Sequence, residues 1–130
     1  MARQSGPRQT GPALESHYRF LLWLIPAVEK FPKSQKFLLG DRIQATALDA
    51  LENLIDATYT RRRQSHLAAA NLALEKLRFL FRLSMDLRYL DLRKYEFAAR
   101  SLEETGKLVG GWVKADREHQ ESEPEDGSAP

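Results

Sequence analysis

Apolar residues recur at helical spacing in four segments, and the third, Gln64 to Leu90, carries the most unusual pattern. At about 100° per residue, Ala70, Ala73, Leu74, Leu77, Leu80, Phe81, Ser84 and Leu87 share one broad face. Leu72, Phe79, Leu83 and Leu90 form a second apolar line beyond it. Asn71, Glu75, Arg78, Arg82, Asp86 and Tyr89 fall in a narrow polar stripe. A surface helix ordinarily has one apolar face. This segment calls for two partners, its own bundle and a second apolar surface.

The other segments are simpler. A first helix is predicted over Ala13 to Lys30, with Leu14, Tyr18, Leu21, Leu22, Ile25 and Val28 inward and a kink at Pro26. Pro32 disfavours helix at Phe31. A second helix is predicted over Ser34 to Tyr59, with Phe37, Gly40, Gln44, Ala47, Leu48, Leu51, Ile55 and Thr58 on its inner face. Gly40 either admits a neighbouring helix closely or is a neutral exposed glycine. Asp91 suits the N-cap of a fourth helix over Leu92 to Arg117. That helix turns Tyr95, Ala98, Ala99, Leu102, Gly106, Val109 and Val113 inward. No alternating β-branched run or Asn-Gly hairpin signal appears. The expectation is an all-α, antiparallel up-down-up-down four-helix bundle over 13–117. Residues 1–12 and the acidic residues 118–130 are expected to be disordered tails.

Composition narrows the function. The chain has 130 residues, a single-domain length, and no Cys, which excludes disulfides and thiolate chemistry. Met1 to Pro12 lacks the apolar run of a signal peptide, and no stretch is apolar enough to span a membrane. A cytoplasmic protein with no membrane partner is expected. The net charge of +2 is uneven. Residues 116–130 carry six carboxylates against one arginine, a sum of −5, which leaves +7 on residues 1–115. A basic body points to a polyanion or an acidic protein as partner; the plainer alternative is a solubilising surface.

Chemistry at a catalytic site is not expected. His17, His66 and His119 have no metal-binding spacing, and there is no phosphate loop. Asp41, Asp49, Glu52 and Asp56 read as a solvated polar face. No cofactor, metal or catalytic residue is expected, and the chain is read as a binding protein rather than an enzyme. The candidate anion-binding residues are Arg78 and Arg82, one turn apart, with Arg61, Arg62 and Arg63 between the second and third helices. On the fourth helix, Glu96 and Glu103 precede Arg100 and Lys107 by four residues, the order that favours ion pairs, so that face is expected to be largely self-paired. The line Leu72, Phe79, Leu83 and Leu90 is the candidate interface of a homo-oligomer.

Four stretches carry a family resemblance: Phe31-Pro32-Lys33-Ser34-Gln35, Gly40-Asp41-Arg42-Ile43-Gln44, Asn71 to Leu80, and Leu108-Val109-Gly110-Gly111-Trp112. In this order, across roughly 18–114, the chain resembles Avd proteins, the accessory variability determinants of bacterial diversity-generating retroelements. A more distant resemblance is to the four-helix-bundle family encoded in intervening sequences of large-subunit ribosomal RNA genes. The Avd resemblance implies a homopentameric barrel of four-helix bundles and a non-enzymatic role. It implies binding of nucleic acid, as template RNA or cDNA, and of the retroelement reverse transcriptase, in support of mutagenic retrohoming. Arg78 and Arg82 match basic positions of the family's central helix, and the acidic tail departs from some relatives. The alternative reading is a structural or adaptor homo-oligomer that binds an acidic protein.

Overall fold

A computed structural model of the chain describes residues 5–122 and the side chains of 11–122. Four long helices, α1 (Ser5–Glu29), α2 (Asp41–Thr58), α3 (Gln64–Asp86) and α4 (Leu92–Ser122), form an all-α bundle. α2 packs against α1 and α3, and α4 against α3 and α1, closing a four-sided core. Leu24, Ile43, Leu54, Leu67, Leu77 and Leu102 are fully buried at its centre. Among the described residues there is no strand.

The helix ends have local causes. α1 begins at Ser5, inside the expected tail, and breaks at Gly11 (φ 80°, ψ 166°), a backbone that glycine adopts without penalty. Pro26, where a kink is expected, lies inside the helix and keeps helical torsions. It and Leu22 are both exposed. One helical turn, Lys33–Gln35, and a π-helical turn, Lys36–Gly40, lead into α2. The Asp41 N–H bonds the Lys36 carbonyl across the π turn. α3 stops at Asp86, four residues early, because Arg88 takes a left-handed conformation (φ 67°). Arg88 N–H donates to the Met85 carbonyl and Tyr89 N–H to the Ser84 carbonyl, both at 2.9 Å. This is the Schellman pattern, usually built on glycine. Asp91 caps α4 as expected, its Oδ1 accepting from the Lys94 N–H at 2.8 Å. α4 continues to Ser122, past the expected limit at Arg117, and residues 123–130 lie outside the described residues.

The inner faces of α3 and α4 match the sequence pattern, with Leu80 half-buried and Leu87 exposed as departures at the margin of α3. Those of α1 and α2 are rotated. α1 buries Leu14, His17, Phe20, Leu21, Leu24 and Val28 and leaves Tyr18, Leu22 and Ile25 exposed. α2 buries Ile43, Ala47, Ala50, Leu54 and Ala57 and leaves Leu48 and Ile55 exposed, as Phe37 is in the π turn before it. Side-chain hydrophobicity alone favours the bulkier residues for these faces. The structure instead turns an alanine face of α2 toward the core, where Ala70 and Ala73 of α3 are also buried.

Candidate nucleic-acid interface

The arginines lie in two places. Arg78 and Arg82 lie one turn apart in the middle of α3. Arg61, Arg62 and Arg63 form the turn before α3. Fifteen residues of helix separate Arg63 from Arg78, about 22 Å along the axis, so they are distinct sites rather than one patch.

At the first site Arg78 is half-buried. Its Nε lies 3.3 Å from Glu75 Oε2 on the preceding turn, without the alignment of a hydrogen bond. Its Nη2 would stand 3.8 Å from a Cβ placed on Gly106 of α4, an ordinary van der Waals distance, so the guanidinium reaches across to α4. Arg78 is thus laid across the α3–α4 groove and partly neutralised. Arg82, one turn on, is exposed and makes no ion pair among the described residues. On α4 the expected self-pairing is half realised. Lys107 Nζ lies 3.8 Å from Glu103 Oε2, with both side chains exposed, while Arg100 and Glu96 form no ion pair among the described residues. An exposed pair of this kind contributes no more than about 1 kcal/mol.

At the second site the three arginines diverge. Arg63 turns inward: its Nε donates to the Thr60 carbonyl at 3.1 Å. Its Nη1 lies 3.5 Å from Asp116 Oδ1, and that carboxylate is buried. The guanidinium carbon sits 5.8 Å from the centroid of the Trp112 ring, within cation–π range. Arg63 is therefore a strut of the bundle end as well as a cation. Arg62 is exposed, and the Arg61 carbonyl receives a long 3.5 Å contact from Gln120 Nε2 of α4. Trp112 and Asp116 took no part in the expected site. They are distant from Arg63 in sequence, and no local spacing signals their meeting. Beside them opens a cavity of about 550 Å³, lined by Thr58, Arg63, Lys107, Leu108, Gly111 and Trp112 and by the break in α1 from Gly11 to Ala13.

The expected apolar line divides. Leu72, Phe79 and Leu83 are 57%, 66% and 46% exposed and form a ridge on the outside of α3. Leu90 is a correction: it is buried in the bundle's own core, because the turn at Arg88 reverses the chain before it. A second apolar surface appears elsewhere, a groove between α1 and α2 lined by Tyr18, Leu22, Ile25, Pro26, Leu48 and Leu51. The carboxylates Asp41, Asp49, Glu52 and Asp56 are all exposed. Among the described residues no group of three or more His, Asp or Glu side chains is placed to hold a metal ion. Among them, too, no helix is long and apolar enough to cross a membrane.

The bAvd-like family matches residues 13–115, which span all four helices. The chain belongs to the bAvd-like family. The match fits the ordered stretches from Phe31 to Trp112 and the four-helix bundle. It associates the chain with the accessory proteins of diversity-generating retroelements, a non-catalytic family linked to the retroelement reverse transcriptase. No curated protein and no solved structure matches the chain.

Proposed function

We propose that this chain is a non-enzymatic accessory subunit of a diversity-generating retroelement, acting in the cytoplasm. It binds the reverse transcriptase and nucleic acid, template RNA or cDNA, and supports mutagenic retrohoming. The bAvd-like match over 13–115 carries the reading. The charge supports it: +7 lies on residues 1–115, with three adjacent arginines at one end of the bundle. Contact by Arg62, Arg78 and Arg82 would be to phosphates, which position a strand without reading sequence.

We infer also that the bundle runs antiparallel and assembles as a homopentamer. The support is physical as well as familial. One protomer bears two unlike apolar surfaces, the ridge Leu72, Phe79 and Leu83 and the groove Tyr18, Leu22, Ile25 and Leu48. Unlike surfaces that fit each other make a head-to-tail contact, and such contacts close into a ring when the rotation between neighbours closes. A ring repeats each arginine cluster, so weak phosphate contacts gain from multivalency.

The test is a titration with unrelated RNA at two salt concentrations. The wild type loses affinity steeply as salt rises, through counterion release. Arg78→Glu with Arg82→Glu abolishes binding while helicity and assembly size stay unchanged. If the double variant binds RNA like wild type, the α3 stripe is not the nucleic-acid site. If it keeps RNA but loses the reverse transcriptase, the stripe serves an acidic protein partner instead.

A further inference from the structure

The arginine turn sits beside a cavity with an aromatic wall, and phosphate contacts alone leave that cavity without a role. Its volume, about 550 Å³, falls in the range of small-ligand pockets. Trp112 lines the cavity and is half-buried, with Arg63 over one face of its ring. The ring is held in place: Arg63 lies 5.8 Å from its centroid and is itself fixed by Asp116 and the Thr60 carbonyl. Leu108 adds an apolar wall. Gly111 has no heavy atom within 4 Å of where its Cβ would be, so the side of the cavity it lines is open. Lys107 stands at the lining with its side chain 78% exposed, tied only to the solvent-exposed Glu103. Arg62 is exposed on the adjoining turn.

A flat aromatic wall, an open apolar slot and cations at the rim are what one base of a single-stranded polynucleotide requires. The base stacks on the ring while the flanking phosphates meet the cations. A base in a duplex has both faces covered by its neighbours and cannot enter. We propose that the cavity at the Trp112 end of the bundle takes one unstacked nucleobase of a single strand, with Trp112 as the platform and Lys107 and Arg62 holding adjacent phosphates. This rests on the nucleic-acid role proposed above and adds to it a preference for single strands over duplex. Stacking does not involve the sugar, so RNA and DNA single strands should use the slot alike.

The experiment uses the full chain and labelled 12-nucleotide RNA and DNA single strands, with an RNA duplex of the same length, read by fluorescence anisotropy. Gly111→Leu fills the slot and leaves Trp112 in place. Its site is open and helical, and leucine is a better helix former than glycine, so folding is not at risk. Trp112→Leu removes the platform, and Trp112→Phe restores part of it. Gly111→Leu and Trp112→Leu are expected to weaken both single strands about 5- to 150-fold. Duplex binding should be unchanged, and Trp112→Phe should fall between. Lys107→Gln should reduce the slope of log affinity against log salt by about one. Single strands bound by Gly111→Leu as tightly as by wild type would overturn the inference, as would an equal loss for duplex and single strands. A Gly111→Leu protein that keeps every oligonucleotide but loses the reverse transcriptase would assign the slot to a peptide, and also overturns it. In those three cases wild-type RNA binding survives, so the proposed function stands. A wild type that binds no nucleic acid at all removes both.

Discussion

The Nε2 of His17 donates a hydrogen bond to the Ala47 carbonyl, 2.8 Å away, joining α1 to α2 inside the bundle. This fixes the tautomer, since the ring's other nitrogen, Nδ1, is buried with no partner and must carry a lone pair. Protonating it would place a charge among apolar side chains. Burial therefore lowers the His17 pKa below its ordinary value, and the Ala47 bond only partly opposes that. The unfolded chain then takes up a proton more readily than the folded one. The contribution of His17 to stability is complete above pH about 6.5 and is lost as pH falls below it. The urea midpoint should drop between pH 7.5 and 5.5, and His17→Gln should flatten that slope. Equal slopes in both proteins would show that His17 titrates alike in both states.

Gly40 meets Val28 where the π turn crosses α1. A Cβ on Gly40 would stand 2.7 Å from Val28 Cγ1, closer than packed carbons approach. Gly40→Ala gains about 1 kcal/mol of helix propensity at most. Overpacking a buried site costs about 1–3 kcal/mol. The overlap should win, and thermal denaturation should show a lower midpoint. Adding Val28→Ala should recover part of the Gly40→Ala loss, so the pair costs less than the sum of the singles. A higher midpoint for Gly40→Ala alone would mean that Val28 moves aside freely.

The end of α3 gives a prediction of opposite sign. Arg88 holds a left-handed backbone that costs an L side chain about 1–2 kcal/mol. Glycine removes that strain but loses more entropy on folding. Arg88→Gly should therefore stabilise the bundle by roughly 0.5–1 kcal/mol. At the other side of the turn, Asp91→Ala removes the cap on Lys94 N–H and should cost about 1 kcal/mol. Calorimetry on both variants checks the pair; a loss of stability in Arg88→Gly would mean that its strain is already relieved.

These residues show where the sequence was legible. α3 and α4 were readable because each places its largest apolar side chains on one stripe, and the Asp91 cap was readable because it is local. α1 and α2 were read about one residue out of phase. Their buried faces rely on alanine and a histidine, while Leu22, Leu48 and Ile55, the better hydrophobes, face outward. The early stop of α3 left no sign, since the left-handed position holds arginine rather than glycine, and Leu90 was misplaced with it. The arginines were visible as charges. That Arg63 spends its charge on Asp116 and Trp112 depends on the meeting of α3 with the far end of α4, which local spacing does not encode.

The assembly can be tested through its two apolar surfaces. Without Leu90, the α3 ridge is three side chains long. Burying Leu72, Phe79 and Leu83 would contribute on the order of 4–9 kcal/mol. Association costs about 4–15 kcal/mol before any gain appears. The ridge by itself is marginal, and a stable contact needs a fitting apolar partner such as the α1–α2 groove. One buried charge on either surface should then be decisive. Phe79→Glu spoils the ridge and Leu22→Glu spoils the groove. Both positions are exposed in the protomer, at 66% and 62%, and glutamate suits an exposed helix, so each variant should fold as a single bundle. By sedimentation velocity each variant alone should run as one chain at concentrations where wild type is assembled. A mixture should behave differently if ridge meets groove. Leu22→Glu keeps an intact ridge and Phe79→Glu an intact groove, so the two should form one contact and stop at a dimer. An interface that pairs ridge with ridge would instead leave Leu22→Glu dimeric on its own, because its glutamate lies outside that contact, and Phe79→Glu would stay a single chain even in the mixture. A wild type that sediments as one chain at micromolar concentration would remove the ring altogether, and the exposed ridge would then await a different protein.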